Sequence, residues 1–378
     1  MFFQELADSV APPSEAAREA AWRRLDSLTK PPRSLGRLEE WVARYCAIAG
    51  RTPPPPLRPA AVVFAADHGV AEEGVSAYPR EVTAQMVMNF LGGGAAVNAL
   101  AREAGAELFV VDVGVAADLP PHERLLDRKV GRGTRNLLQG PAMTAEEAER
   151  ALRAGADVAR ERAAGGATAL ALGEMGIGNT TSAAALSAAL LDAPAADLVG
   201  PGTGVEGEAL ERKRRVVERA LARCRAAGPN RAAGGDAFGM LCELGGFEIA
   251  ALAGAILGGA AARLALFVDG FVVSAAALLA ARLCPAALAY CFPSHLSAEP
   301  GHRRQAEGLG WDPPLRMEMR LGEGTGALLA LGMLRGGLRA FGEMSTFEEA
   351  GVGGGAEPSG GADPGGRANP EGEEGGGA

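Results

Sequence analysis

Ala167-Thr-Ala-Leu-Ala-Leu172 runs directly into Gly173-Glu174-Met-Gly176-Ile-Gly178-Asn179-Thr180-Thr181-Ser182 and then into an alanine-rich segment. A nearly unbroken apolar run of strand length, with no polar alternation, suits a strand covered on both faces. The glycines allow a sharp turn, and the residues beyond it open a helix. Strand, glycine turn and helix in that order are the unit of a layered α/β fold. The same texture recurs on both sides. Ala60-Ala-Val-Val-Phe-Ala-Ala66, Glu107-Leu-Phe-Val-Val-Asp-Val113, Ala265-Leu-Phe-Val-Asp269 and Ala286-Ala-Leu-Ala-Tyr-Cys-Phe292 are all strand-length apolar runs separated by helical segments. Thr144 with Glu147 makes a capping box for the helix that Gly165-Gly166 ends before the third run. The expected fold is therefore a parallel sheet flanked by helices, with ligands beyond the carboxyl ends of its strands.

Outward from that core, two helical segments precede the first strand, over 13–28 and 34–49, and Lys30-Pro31-Pro32 ends the first. Thr52-Pro-Pro-Pro-Pro56 is a stiff spacer and a boundary. The expected division is 1–52 as a helical N-terminal part, 57–310 as the large α/β part, 311–347 as a loop and helix near the site, and 351–378 as a disordered tail. That tail is dominated by Gly, Glu, Ala and Pro and has too few apolar side chains to offset ordering.

Of the 378 residues, 48% are hydrophobic and 22% charged, enough to bury a large core. A formal net charge of -9 without a basic run argues against nucleic acid as a partner. The run from Ile249 to Ala262 stops at Arg263, short of the roughly 20 residues a membrane span needs. The amino terminus has no export-signal pattern. Cys46, Cys224, Cys242, Cys284 and Cys291 form no paired motif, and His68, His122, His295 and His302 share no ligand spacing, so neither a metal nor a cofactor is expected.

Two glycine-rich stretches carry the chemistry. Three glycines and the hydroxyls of Thr180, Thr181 and Ser182 at a helix start form a candidate anion site, though the spacing lacks the Gly-Lys-Ser/Thr of a Walker loop. A tight turn without a ligand is the alternative. Arg316-Met-Glu-Met-Arg-Leu-Gly-Glu-Gly-Thr-Gly326 sets Glu323 between two glycines ahead of an apolar helix, a good place for a general base. A turn with its Glu in water is the plainer reading. Pro201-Gly202-Thr203-Gly204 is a further glycine turn, placed before a charged helix that carries Lys213.

Thr29-Lys-Pro-Pro-Arg-Ser-Leu-Gly36, Asp67-His-Gly69, Gly74-Val-Ser-Ala-Tyr-Pro79, Gly173 to Thr181, Gly202-Thr-Gly204 and Leu321-Gly-Glu-Gly-Thr-Gly326 together resemble the nicotinate-nucleotide:dimethylbenzimidazole phosphoribosyltransferase family, across about residues 10 to 340. The resemblance implies a Rossmann-like parallel sheet with a small helical domain built from both chain ends, and a cytoplasmic homodimer. It also implies a reaction in which nicotinate mononucleotide and 5,6-dimethylbenzimidazole give α-ribazole 5′-phosphate and nicotinate. By the same resemblance Glu323 is the base and Glu174 a second acidic group. Ser76, Tyr78 and Gln85 belong to the benzimidazole pocket, and Gly176, Asn179, Thr180, Gly202, Gly204 and Lys213 to the phosphoribosyl and nicotinate site. The apolar neighbours Met319, Leu321 and Met86 are expected to line the slot for the dimethylated ring. Ser294 is followed by His295 where a small residue is expected, which leaves a phosphate role for Ser294 open. The alternatives are a non-catalytic nucleotide- or azole-binding protein and a transferase that prefers adenine or a phenol.

Overall fold

The computed structural model describes residues 2–228 and 236–353. The expected disorder of the glycine-rich tail concerns residues of which 354–378 lie outside the described ones. Six strands form one fully parallel sheet: β1 (Pro59–Ala66), β2 (Glu107–Gly114), β3 (Leu125–Asp127), β4 (Ala169–Met175), β5 (Ala265–Val268) and β6 (Cys291–Pro293). Their order across the sheet is β3-β2-β1-β4-β5-β6. This is the doubly wound order, in which the chain reverses direction between β1 and β4 and opens a crevice at their carboxyl ends. The expected α/β class is what the sheet shows.

Every residue from Ala60 to Ala66 is buried. Side chains alternate between the two faces of a strand, so both faces of β1 are covered. The long apolar segment forms the Phe247–Ala261 helix, buried from Phe247 to Ala260. It lies against the Ala145–Ala164 helix at backbone distance: a Cβ on Gly155 would overlap the Ala251 carbonyl oxygen, and one on Gly254 the Leu152 carbonyl oxygen. The alanine and glycine in this run are thus there for close helix contact. Among the described residues no helix is long and apolar enough to cross a membrane. The capping box at Thr144 forms as expected, with Glu147 N–H donating to Thr144 Oγ1 at 3.1 Å and Thr144 N–H to Glu147 Oε2 at 2.7 Å.

Three expectations need correction. The run 286–292 is mostly a 3-10 turn (Pro285–Tyr290), because Pro285 at its start presets the turn, and only Cys291–Pro293 pairs with β5. The strand expected over 167–172 instead runs through Met175, so Glu174 is a strand residue paired with Phe64 and not part of the turn. The second helix starts at Arg37, three residues later than expected, since Arg33 and Gly36 have left-handed backbones with φ of 62° and 55°.

The two chain ends meet. Leu28 bridges Thr346 in antiparallel fashion, Thr29 N–H donates to Ser345 O at 3.0 Å, and a Cβ on Gly337 would press on Leu38 and Val42. The helices Arg37–Ala49 and Thr325–Glu343 therefore pack directly, and within this region Lys30 and Glu39 form a buried ion pair at 2.8 Å.

Candidate active site

Beyond the carboxyl ends of β1, β4, β5 and β6 lies a cavity of about 700 Å³. The Gly-Glu-Gly stretch forms one wall. Gly322, Glu323 and Gly324 are three successive left-handed residues, with φ of 84°, 62° and 90°, so the flanking glycines are required by conformation. A left-handed Glu is unfavourable by about 1 kcal/mol, and it persists because its backbone is held on both sides. Gly173 of β4 lies so close that a Cβ there would overlap the Glu323 carbonyl. On the other side Asp269, one residue past β5, accepts from Gly324 N–H at 3.0 Å, Gly326 N–H at 2.8 Å and Ala327 N–H at 3.1 Å. Burial raises the Glu323 carboxyl above its ordinary range, the Val97 N–H at a nearby helix start lowers it, and the Asp269 charge raises it again. Glu323 Oε2 is buried without a hydrogen-bond partner.

Glu174 faces the same space, close enough that a Cβ on Gly322 would overlap its Oε1. Its Oε2 accepts from the Asn179 amide. Burial, followed by the charges of Asp269, Glu248 and Glu323, pushes its pKa up to about 8 against the Asn179 hydrogen bond. The unfolded carboxyl ionises first as pH rises, so this group withdraws stability between about 4.5 and about 8. Glu174→Gln is expected to flatten the fall in melting temperature across that window. Parallel curves for the variant and the parent would remove Glu174 as its source.

The glycine turn expected to bind an anion is built close against β1. Gly178, with φ of 95°, is the N-terminal cap of the Asn179–Leu191 helix, and a Cβ on Gly176 would overlap the Ala66 carbonyl. Beneath it His68 Nε2 meets Glu248 Oε1 at 2.7 Å, both side chains fully buried. Gly176, Asn179, Thr180, Gly202, Tyr78, Leu321 and both glutamates line the cavity.

Other expected residues stand behind or outside the wall. Lys213 is buried and donates to Thr180 Oγ1 at 2.8 Å and Gly200 O at 3.0 Å, so it braces the two glycine turns from behind. Burial brings its pKa down to about 8, partly offset by Glu299. Ser76 Oγ lies 3.0 Å from Thr203 Oγ1 at the edge of the cavity. Gln85 is exposed on the Val82–Leu91 helix and Gly204 has nothing within 4 Å of its missing Cβ; neither lines the cavity. Of the expected apolar wall, Met86 and Leu321 are present and Met319 is not.

A model of the phosphoribosyltransferase family matches residues 10–352. A nicotinate-nucleotide–dimethylbenzimidazole phosphoribosyltransferase of Thermus thermophilus is 56% identical over 330 residues, 87% of this chain and 96% of its own length. The chain belongs to the nicotinate-nucleotide–dimethylbenzimidazole phosphoribosyltransferase family. A phosphoribosyltransferase of this name from Chloroflexus aurantiacus is 49% identical over 349 residues, 92% of this chain and 98% of its own. A crystal structure of the Thermus thermophilus phosphoribosyltransferase superposes with a TM-score of 0.83 at 52% identity, over 90% of this chain and all of that one.

The cavity of this phosphoribosyltransferase also has walls that sequence reasoning did not single out: Thr203, Phe271, Val272, Ser297 and Arg320. Glu299 lines it too, with Oε1 accepting from Gly202 N–H at 2.8 Å. Burial raises its pKa while Lys213 lowers it. His295 lines the cavity, and Ser294, fully buried, lies 3.0 Å from its Nδ1. Asp269 and His295 carried a faint signal, since both follow strand-length apolar runs. Glu299 and Ser297 carried none, for they lie in the loop beyond β6.

Proposed function

We propose that this chain transfers the phosphoribosyl group of nicotinate mononucleotide to 5,6-dimethylbenzimidazole, with inversion at C1′. The observation that carries the reading is the pairing of Glu323 and Glu174 across one cavity, both with raised pKa values, beside a glycine-rich helix start. The leaving group is a pyridinium, so the C1′–N bond can break with its electrons passing to the ring nitrogen, and no general acid is needed. One benzimidazole nitrogen forms the new bond to C1′ while the proton on the other passes to a base. Glu323 is that base, its raised pKa bringing it nearer to neutral pH.

The phosphate sits against the N-terminal turn of the Asn179–Leu191 helix and the Gly202 turn, where N–H groups and the helix dipole favour an anion. Fixing the phosphate holds the ribose so that the two bases occupy opposite faces, which is the positional requirement of inversion. Glu174, once ionised beside a cationic nucleotide, stabilises the positive charge that spreads over the ribose as the bond breaks. Met86, Leu321 and Tyr78 supply the apolar slot for the methylated ring. The family's cytoplasmic homodimer belongs to the same proposal, as does the division of the chain into a large α/β part and a helical part.

The test is a chromatographic assay of purified protein with both substrates, following nicotinate and ribazole phosphate together. Equimolar appearance of the two is the expected result, and adenine or phenol in place of the benzimidazole ranks the acceptors. Nucleotide-dependent thermal stabilisation without either product would overturn the transferase reading.

A further inference from the structure

Asp269 does not line the cavity, yet it is only 1% exposed and its carboxylate accepts three hydrogen bonds from one short segment 55 to 58 residues away. That segment is the start of the Thr325–Glu343 helix. Its N-terminal cap is Gly324, which has no side chain to accept the first free N–H groups. Asp269 supplies the missing acceptor from another part of the chain, in a geometry that an ionised carboxylate at a helix N-terminus favours. The first of its three donors, Gly324 N–H, belongs to the peptide unit whose carbonyl is that of Glu323. That carbonyl is backed by Gly173. The run of three left-handed residues is closed locally by Thr325 N–H donating to Gly322 O at 3.1 Å, but so strained a backbone persists only where the surroundings over-determine it. Asp269 and Gly173 are those surroundings.

We infer that Asp269 is a positioning residue for the reaction: its carboxylate clamps the peptide after Glu323 to the end of β5 and so fixes where the base stands relative to the cavity. The inference rests on the proposed role of Glu323 as base. A carboxylate suits this clamp because one oxygen must take Gly326 and Ala327 together while the other takes Gly324, and an amide has a single acceptor oxygen. The clamp also acts electrically. The groups facing Glu323 are Glu174 from β4, Asp269 from the end of β5, His295 from beyond β6 (Nδ1 3.7 Å from Asp269 Oδ1) and the Val97 N–H from the helix at 96–103. Removing the Asp269 charge lowers the pKa of Glu323, because a like charge disfavours its ionised form.

The experiment compares the full-length wild type with Asp269→Asn, Glu323→Gln and the double variant. Asp269→Asn is expected to lower kcat on the order of 10- to 100-fold with KM within about threefold, as misplacing a base does. The acid limb of its pH profile moves to lower pH, which a purely structural defect does not produce. On the Glu323→Gln background the same change is expected to cost little further turnover, since the residue acts through the missing base. Hydrogen exchange at Gly324, Gly326 and Ala327 quickens in Asp269→Asn, a readout independent of turnover that remains if the substrate assignment fails. Unchanged exchange at those amides would overturn the clamp. An active wild type whose Asp269→Asn variant keeps its rate and pH profile, or whose double variant loses the full product of both effects, would overturn the positioning role while leaving the transferase reading intact.

Discussion

Glu323→Gln retains nicotinate mononucleotide binding, read as thermal stabilisation by the nucleotide, and loses turnover by on the order of 100-fold or more. Glutamine fills the same space beside Gly173 and Glu174 but cannot take the benzimidazole proton. In the wild type the rate is expected to fall on the acid side, because the base must be ionised to act. Since burial and the Asp269 charge raise the Glu323 pKa, that limb lies above the ordinary carboxylate range. The glutamine variant lacks the limb. A variant that turns over normally would remove Glu323 as the base and shift the role to Glu174, the remaining carboxylate with a strongly raised pKa in the cavity.

The largest expected stability effect lies far from the chemistry. Gly155→Ala places a methyl group on the Ala251 carbonyl where the Ala145–Ala164 and Phe247–Ala261 helices cross. The obstacle is backbone on both sides, so no side chain can rotate away, and the helices must separate. A loss of about 3 kcal/mol is expected, read from denaturant midpoints, at the upper end for overpacking. Gly332→Ala is the control: it is exposed in a helix with nothing within 4 Å of the added carbon, and is expected to stabilise by about 0.5–1 kcal/mol. Equal midpoints for Gly155→Ala and the parent would show that the crossing is looser than these distances imply.

The sheet was largely legible because its central strands are buried on both faces and leave unbroken apolar runs. The edges were not. β3 is three residues long, none of them buried, and carries no pattern to read. At the other edge an alanine-rich run looks the same as strand or as 3-10 turn, and Pro285 decided it. Within the site, Glu323 and Glu174 could be found because glycines stand beside them: those around Glu323 mark a left-handed turn, and Gly173 before Glu174 marks a close approach of two backbones. Ser297 and Glu299 could not, since their loop is placed by contacts distant in sequence: Ala298 N–H donates to Met319 O at 2.9 Å, and His302, whose Nδ1 takes Ser297 N–H, meets Ser274 Oγ through Nε2 at 2.9 Å. Gln85 shows the converse. Its neighbourhood in sequence pointed to the cavity, while the helix it stands on turns it toward solvent.

The meeting of the two chain ends sets an order of events during synthesis. The Arg37–Ala49 helix leaves the ribosome early, but its partner, the Thr325–Glu343 helix, follows about 300 residues later, roughly 15–60 s at ordinary elongation rates. Until then the apolar side chains of Leu38 and Val42 that will face Gly337 stand uncovered, and the acidic wall has no Glu323. The β1 and β4 side of the crevice can form on the nascent chain, with its glycine turn in place. Every strand of the sheet is complete by Pro293, so the acidic wall is closed only when the Thr325–Glu343 helix docks and brings Glu323 opposite Glu174.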